Sequence, residues 1–180
     1  MSRGDLLAWG RGAARAIDAV NEWIGRAVAW LVLALVLLIG WDVAMRYLFS
    51  RGSVALQELE WHLFAMLFLL GAAYTLKHDA HVRVDVLYQS RWMNPARRAL
   101  VNLLGSVLFL IPFCVLVIVS AWPFVTAAWV HGEGSPDPGG LPHRWLLKAC
   151  IPLGFGLLLL QGVALALHSL DALRGPRGPG

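Results

Sequence analysis

At 180 residues the chain has the length of one soluble domain, yet 58% of it is hydrophobic and only 14% charged, against about one quarter charged in soluble proteins. Its apolar residues come in blocks near the roughly 20 residues that cross a 30 Å hydrocarbon layer, so the solvent they suit is lipid. The net charge of +4 does not argue for nucleic acid, because the 15 Lys and Arg residues lie scattered at the ends of apolar blocks and form no basic stripe.

In chain order, residues 1–23 come first. Leu6, Leu7, Ala13, Ile17, Val20 and Ile24 recur at helical spacing, while Arg11, Arg15, Asp18 and Glu22 mark another face. This predicts an N-terminal amphipathic helix on the membrane surface. The first long apolar run begins near Ala27 and continues too far for a signal-peptide core, so it stays attached as a span. That span is predicted over 24–48, where Asp42 and Arg46 stand four apart with the acid first, an arrangement that favours a helical ion pair. Trp30, Trp41 and Tyr47 are candidate interfacial anchors.

The second span is predicted over 59–76, with Gly71, Ala72 and Ala73 as a small-residue surface for close helix approach. The third, 100–124, contains Pro112, which frees a backbone carbonyl and predicts a kink. Between the third and fourth spans, HGEGSPDPGGLPH reads as an exposed turn-rich loop. The fourth span, 146–167, carries Pro152, Gly154, Gly156, Gly162 and Ala166, again suited to helix packing. The expected layout is therefore an all-α membrane protein with one four-helix domain over 24–170. The tail 171–180 has nothing able to bury a core and is expected to be disordered. Cys114 and Cys150 lie inside apolar stretches without zinc or redox spacing and read as small membrane-buried side chains.

Orientation follows from the positive charges. One side holds Arg3, Arg11, Arg15, Arg26, Lys77, Arg83, Arg91, Arg97, Arg98, Arg174 and Arg177; the other holds Arg46, Arg51, Arg144 and Lys148. Eleven against four places both termini and the middle loop in the cytoplasm.

Candidate chemistry is sparse. His78, Asp79, His81 and Asp85 have the residue types of a divalent-metal site but no standard ligand spacing. The competing reading is structural, with the valines of VRVDV alternating with Arg83 and Asp85 to anchor a loop at the headgroups. Glu58 and Glu60 form an acid pair near Arg46 and Arg51, suited to proton or cation handling or, more simply, to the positive end of a helix dipole and to partner contacts. His62 and His168 are few for a haem-binding bundle. No deeply placed charge lines an ion path, Asp42 and Arg46 being expected to neutralise each other. The residues give no catalytic site, no cofactor and no metal.

WDVAMRYLF (41–49) and LQELEWHLFAMLFLLGAAYTLKHDAHVRVDVLY (56–88) resemble the small membrane subunit, of DctQ type, of tripartite ATP-independent periplasmic (TRAP) transporters. The shared features are an aromatic, arginine-bearing end of the first helix, acids opening the second, a Gly-Ala patch, and a His-x-Arg-x-Asp exit. The resemblance covers roughly 24–170. It implies a non-enzymatic subunit in the bacterial inner membrane that scaffolds a large permease subunit, for sodium-driven uptake of a small organic acid delivered by a periplasmic binding protein. The expected partners are that large subunit, the binding protein and membrane lipid, with no nucleic acid. Arg46, Glu58, Glu60, Gly71, Ala72, His81, Arg83, Asp85, Gly162 and Ala166 are the candidate interface residues. Two competing readings are the membrane anchor of a respiratory oxidoreductase, which a haem band or a co-purifying soluble enzyme would reveal, and a small stand-alone exporter.

Overall fold

A computed structural model describes residues 3–79 and 94–174, with side chains from residue 8 onward. Among them there is no strand. The order is α1 (Arg3–Phe49), α2 (Val54–Lys77), α3 (Pro95–Gly105), a π-helical turn (Ser106–Leu110), α4 (Ile111–Val130) and α5 (Trp145–Leu173). Four stretches are long and apolar enough to cross a membrane: Ala8–Phe49, Val54–Lys77, Pro95–Val130 and Trp145–Leu173. The chain is thus an all-α membrane protein, with α3, the π turn and α4 forming its third span.

The 47 residues of α1 measure about 70 Å at 1.5 Å per residue, more than twice the hydrocarbon thickness. The amphipathic segment and the first span are joined in this one helix. Hydropathy changes near residue 24, but no proline stands anywhere in 3–49 to interrupt the backbone ladder. α2 begins at Val54, earlier than the apolar run, because the Ser53 side chain caps it by accepting from the Leu56 N–H at 3.4 Å. Asn94 caps α3 in the same way, its Oδ1 accepting from the Arg97 N–H at 2.8 Å with Pro95 at the first helical position.

The third span contains the expected irregularity. The π turn ends immediately before Ile111 and Pro112, and the Ile111 N–H reaches back five residues to the Ser106 carbonyl. A proline cannot donate and its ring crowds the preceding turn, so widening that turn by one residue accommodates it. α4 ends at Val130 and is stopped by Gly132, whose φ of +57° suits glycine. The Gly132 N–H bonds to Trp129 O at 3.2 Å and the Glu133 N–H to Ala128 O at 3.0 Å, the paired bonds of a Schellman stop.

α5 is the central post, in contact with every other helix. Its small residues make that possible. A Cβ on Gly154 would stand 2.6 Å from the Leu69 carbonyl oxygen of α2, and one on Gly162 2.9 Å from Leu110 Cδ2. α1 and α2 approach just as closely at Gly25, where a Cβ would stand 2.2 Å from the Tyr74 ring. In lipid, helices gain nothing by hiding apolar surface from water, so such contacts carry the cohesion of the bundle.

Candidate functional site

Polar groups cluster at two levels of the bundle. At the end carrying the 131–144 loop, α2 presents Glu58, only 6% exposed. The Ser135 hydroxyl donates to its Oε1, and the Leu141 N–H donates to its Oε2 at 2.6 Å. Gly140 permits this clamp, since a Cβ there would lie 2.7 Å from Glu58 Oε2. The loop is also tied to itself by Ser135 N–H to Leu141 O and Arg144 N–H to Glu133 O, each 3.0 Å. Lys148 of α5 pairs with Glu133, and the Arg144 guanidinium lies 5.6 Å over the Trp61 ring. The exposed turn-rich loop of the sequence reading is thus strapped onto the bundle by an acid of α2.

At the opposite end Glu22 of α1 joins two cations and an imidazole. Lys77 Nζ lies 2.7 Å and His78 Nε2 2.8 Å from its Oε2, while Arg26 Nε donates to Oε1 at 2.7 Å. α2 stops here, but α1 and α5 continue together. Asn21 Nδ2 donates to Gln161 Oε1 at 2.7 Å, Gln161 Nε2 to Asp18 Oδ1 at 2.9 Å, and His168 Nε2 lies 2.8 Å from Asp18 Oδ2. Arg11 and Asp171 approach to 4.0 Å further on. The charged face of the amphipathic segment therefore has partners inside the chain.

The expected site residues divide accordingly. Arg46 pairs with Asp42 as its spacing predicted; Asp42 is 2% exposed and its Oδ1 lacks a partner. Glu58 is turned inward to its own loop, which it binds through both carboxylate oxygens. Glu60 is half-buried beside it and is not part of the clamp. Gly162 and Ala166 are buried, and Gly71 faces Val28 across the α1–α2 contact. Within the chain Gly162 packs against Leu110 and Ile111, and Gly71 meets Val28 of α1. Ala72 is half-buried. His81, Arg83 and Asp85 lie outside the described residues.

Among the described residues no three His, Cys, Asp or Glu side chains gather around a possible metal position. His62 and His168 are not brought together as axial ligands would be. The His62 ring Nδ1 contacts the Glu58 carbonyl at 2.6 Å, whereas His168 sits with Asp18 at the other end. The residues that the sequence reading passed over are Asn21, Gly25 and Gln161. Gly10, Ala14, Asn21, Gly25 and Val28 are all buried in α1, and their spacing of 4, 7, 4 and 3 was a readable stripe.

The outward surface is different in kind. Trp23, Ala27, Trp30, Ala34, Leu37 and Trp41 are all exposed, the tryptophans by 73%, 71% and 57% in chain order. At 3.6 residues per turn they share about 80° of the α1 surface, alternating large side chains with alanine gaps.

Residues 35–172 match the model of the family described as tripartite ATP-independent periplasmic transporters, DctQ component. A C4-dicarboxylate TRAP transporter small permease protein of Vibrio cholerae is 28% identical, the alignment covering 83% of this chain and 70% of that protein. One of the same description from Pseudomonas aeruginosa is 27% identical over 74% of each. The family match extends from the middle of α1 to the end of α5 and takes in the Glu58 clamp, and the chain belongs to the DctQ component family of TRAP transporters, as a small permease subunit and not an enzyme.

Proposed function

We propose that the chain is a scaffold. It sits in the bacterial inner membrane with both termini and the 78–94 segment in the cytoplasm, and it holds a large permease subunit that carries the transport path. A periplasmic binding protein delivers the substrate to that assembly, and sodium entry drives uptake. The relatives are named for C4-dicarboxylates, so a small dicarboxylate is the substrate class this reading takes.

The observation that carries the scaffold reading is where the polar groups go. Glu58, Glu22, Asp18, Asn21 and Gln161 are bound to other parts of the same chain, at the two ends of the bundle. The face of α1 that carries Trp23, Trp30, Leu37 and Trp41 is apolar and sterically patterned. Trp30 stands about 9 Å inside the 24–48 span, deeper than the headgroup level where indole rings settle. A helix of the large subunit resting on Trp23, Trp30 and Leu37, with Ala27 and Ala34 as gaps, would bury these rings by shape matching, the main source of helix association in lipid. Arg83 and Asp85 remain proposed as residues that fix the cytoplasmic loop, with His81 beside them, while Glu60 and Arg46 remain proposed partner contacts at the periplasmic side.

Reconstitution tests this. Liposomes carrying this chain with the large subunit should accumulate dicarboxylate under an inward sodium gradient when the binding protein is present. Liposomes carrying this chain alone should not. Uptake by the chain alone would refute the scaffold reading in favour of an exporter-like carrier. The family match does not favour the respiratory-anchor alternative, and among the described residues His62 and His168 lie at opposite ends of the bundle.

A further inference from the structure

The two polar levels fix the depth of the bundle in a membrane. Along α1 Glu22 and Asp42 stand 20 positions apart, and along α2 Glu58 and Lys77 stand 19 apart, which is about 30 Å and about 28 Å at 1.5 Å per residue. Both match the roughly 30 Å of hydrocarbon. Glu22 and Lys77 therefore lie at headgroup depth, where the 73% exposed ring of Trp23 also suits the interface. Arg26 is rooted one turn further in, and its side chain is 75% exposed. Helical side chains lean toward the helix N-terminus, which on α1 is back toward that level, and Arg26 Nε reaches Glu22 Oε1 at 2.7 Å. With Nε held there, the two terminal amino groups of the fork have no acceptor among the described residues. Lys77 Nζ sits on the other oxygen, 2.7 Å from Glu22 Oε2. One carboxylate thus gathers two permanent cations, and this contact leaves a positive charge over.

We infer that Arg26 and Lys77 bind the phosphate of an anionic phospholipid in the leaflet at this end of the bundle, Arg26 through its terminal amino groups. The inference depends neither on the scaffold reading nor on the large subunit. Depth and exposure name the occupant. What surrounds a lipid-facing guanidinium at headgroup depth is phosphate, and the fork matches two phosphate oxygens. The surplus positive charge selects a headgroup without an ammonium. A partner helix seated in the alanine gaps at Ala27 and Ala34 passes about 80–100° round α1 from Arg26, which leaves the lipid its place at the flank.

Native mass spectrometry of the full chain in detergent, titrated with phosphatidylglycerol or phosphatidylcholine, tests this. The first phosphatidylglycerol should bind the unmodified chain about fivefold more tightly than phosphatidylcholine, the worth of one basic residue at a membrane surface. Arg26→Gln should remove that preference, while Glu22 keeps Lys77 and His78 and with them the α1–α2 contact. Arg26→Lys, which retains the charge, should restore most of it. Arg51→Gln, exposed at the other end of the bundle, should leave it unchanged, and millimolar inorganic phosphate should not displace the lipid. An unchanged preference in Arg26→Gln, no rescue by Arg26→Lys, an equal loss from Arg51→Gln, or displacement by free phosphate each overturns the site. Loss of co-purified large subunit in Arg26→Gln with the lipid preference intact overturns it in favour of a protein partner.

Discussion

Replacing Gly154 by alanine tests the central packing of the bundle with a single methyl group. The new Cβ would lie 2.6 Å from the Leu69 carbonyl oxygen, 2.9 Å from its carbonyl carbon and 3.2 Å from its Cβ. Carbon atoms rest at about 3.5–4.0 Å, so α2 and α5 must part by close to ~1 Å. The nearest two atoms are backbone, with no rotamer through which to retreat. A gap of that size forfeits a quarter to a half of each van der Waals contact along the seam, and overpacking of this kind costs about 1–3 kcal/mol. Alanine also has a helix propensity up to about 1 kcal/mol better than glycine, which masks part of the loss. Gly156→Ala supplies the reference, because nothing lies within 4 Å of its Cβ position and it carries the propensity gain alone. Unfolding by SDS in mixed micelles, followed by far-UV circular dichroism, should therefore separate the two variants by about 1–3 kcal/mol. Gly162→Ala should fall between them, since its nearest atom is the movable end of Leu110. Equal unfolding midpoints for Gly154→Ala and Gly156→Ala would refute the close α2–α5 contact.

Gly25→Ala should destabilise at least as strongly in the same assay, because the clash involves Tyr74 Cβ at 2.6 Å as well as its ring. Glu58→Gln should preserve the loop clamp in neutral form, its carbonyl meeting the Leu141 N–H and its amino group the Ser135 hydroxyl, whereas Glu58→Ala leaves both without a partner. Limited proteolysis should then cut the 131–144 loop faster in Glu58→Ala alone, and equal cutting of both variants would argue against the clamp. The proposed topology is checked in intact cells, where a cysteine at position 135 should react with an impermeant thiol reagent and one at position 90 should not; the reverse pattern inverts the protein. With the full complex in liposomes, Glu58→Gln should reduce uptake only partially, and complete loss with the complex intact would mean that this subunit handles ions directly.

The fold was legible in the sequence because lipid imposes a coarse rule. Four apolar blocks near the bilayer length can only be helices, and turn residues at 50–53 and 131–144 mark where they end. The Asp42–Arg46 pair was also legible, since both partners sit on one helix at fixed spacing. The join between the amphipathic segment and the first span was not, because hydropathy reports the solvent and says little about backbone continuity. Nor were the contacts that Glu58, Gly162 and Ala166 make within the chain, since each is the kind of residue that serves a partner or its own chain equally well. Glu58 finds its ligands 77 and 83 residues away in sequence, beyond the reach of any local pattern.

That central position of α5 has a consequence for how a partner can be held. α5 has buried Gly154 against α2 and Gly162 against the π turn and α4, so these two glycines are taken up by contacts within the chain. Glu58 is likewise engaged at one end, and Glu22 and Asp18 at the other. Beside the polar contacts proposed for Glu60 and Arg46, a means of association in lipid is shape. On α1 that shape is a row of tryptophans and leucine separated by alanines. A partner helix meeting this surface would need small residues opposite Trp23 and Trp30.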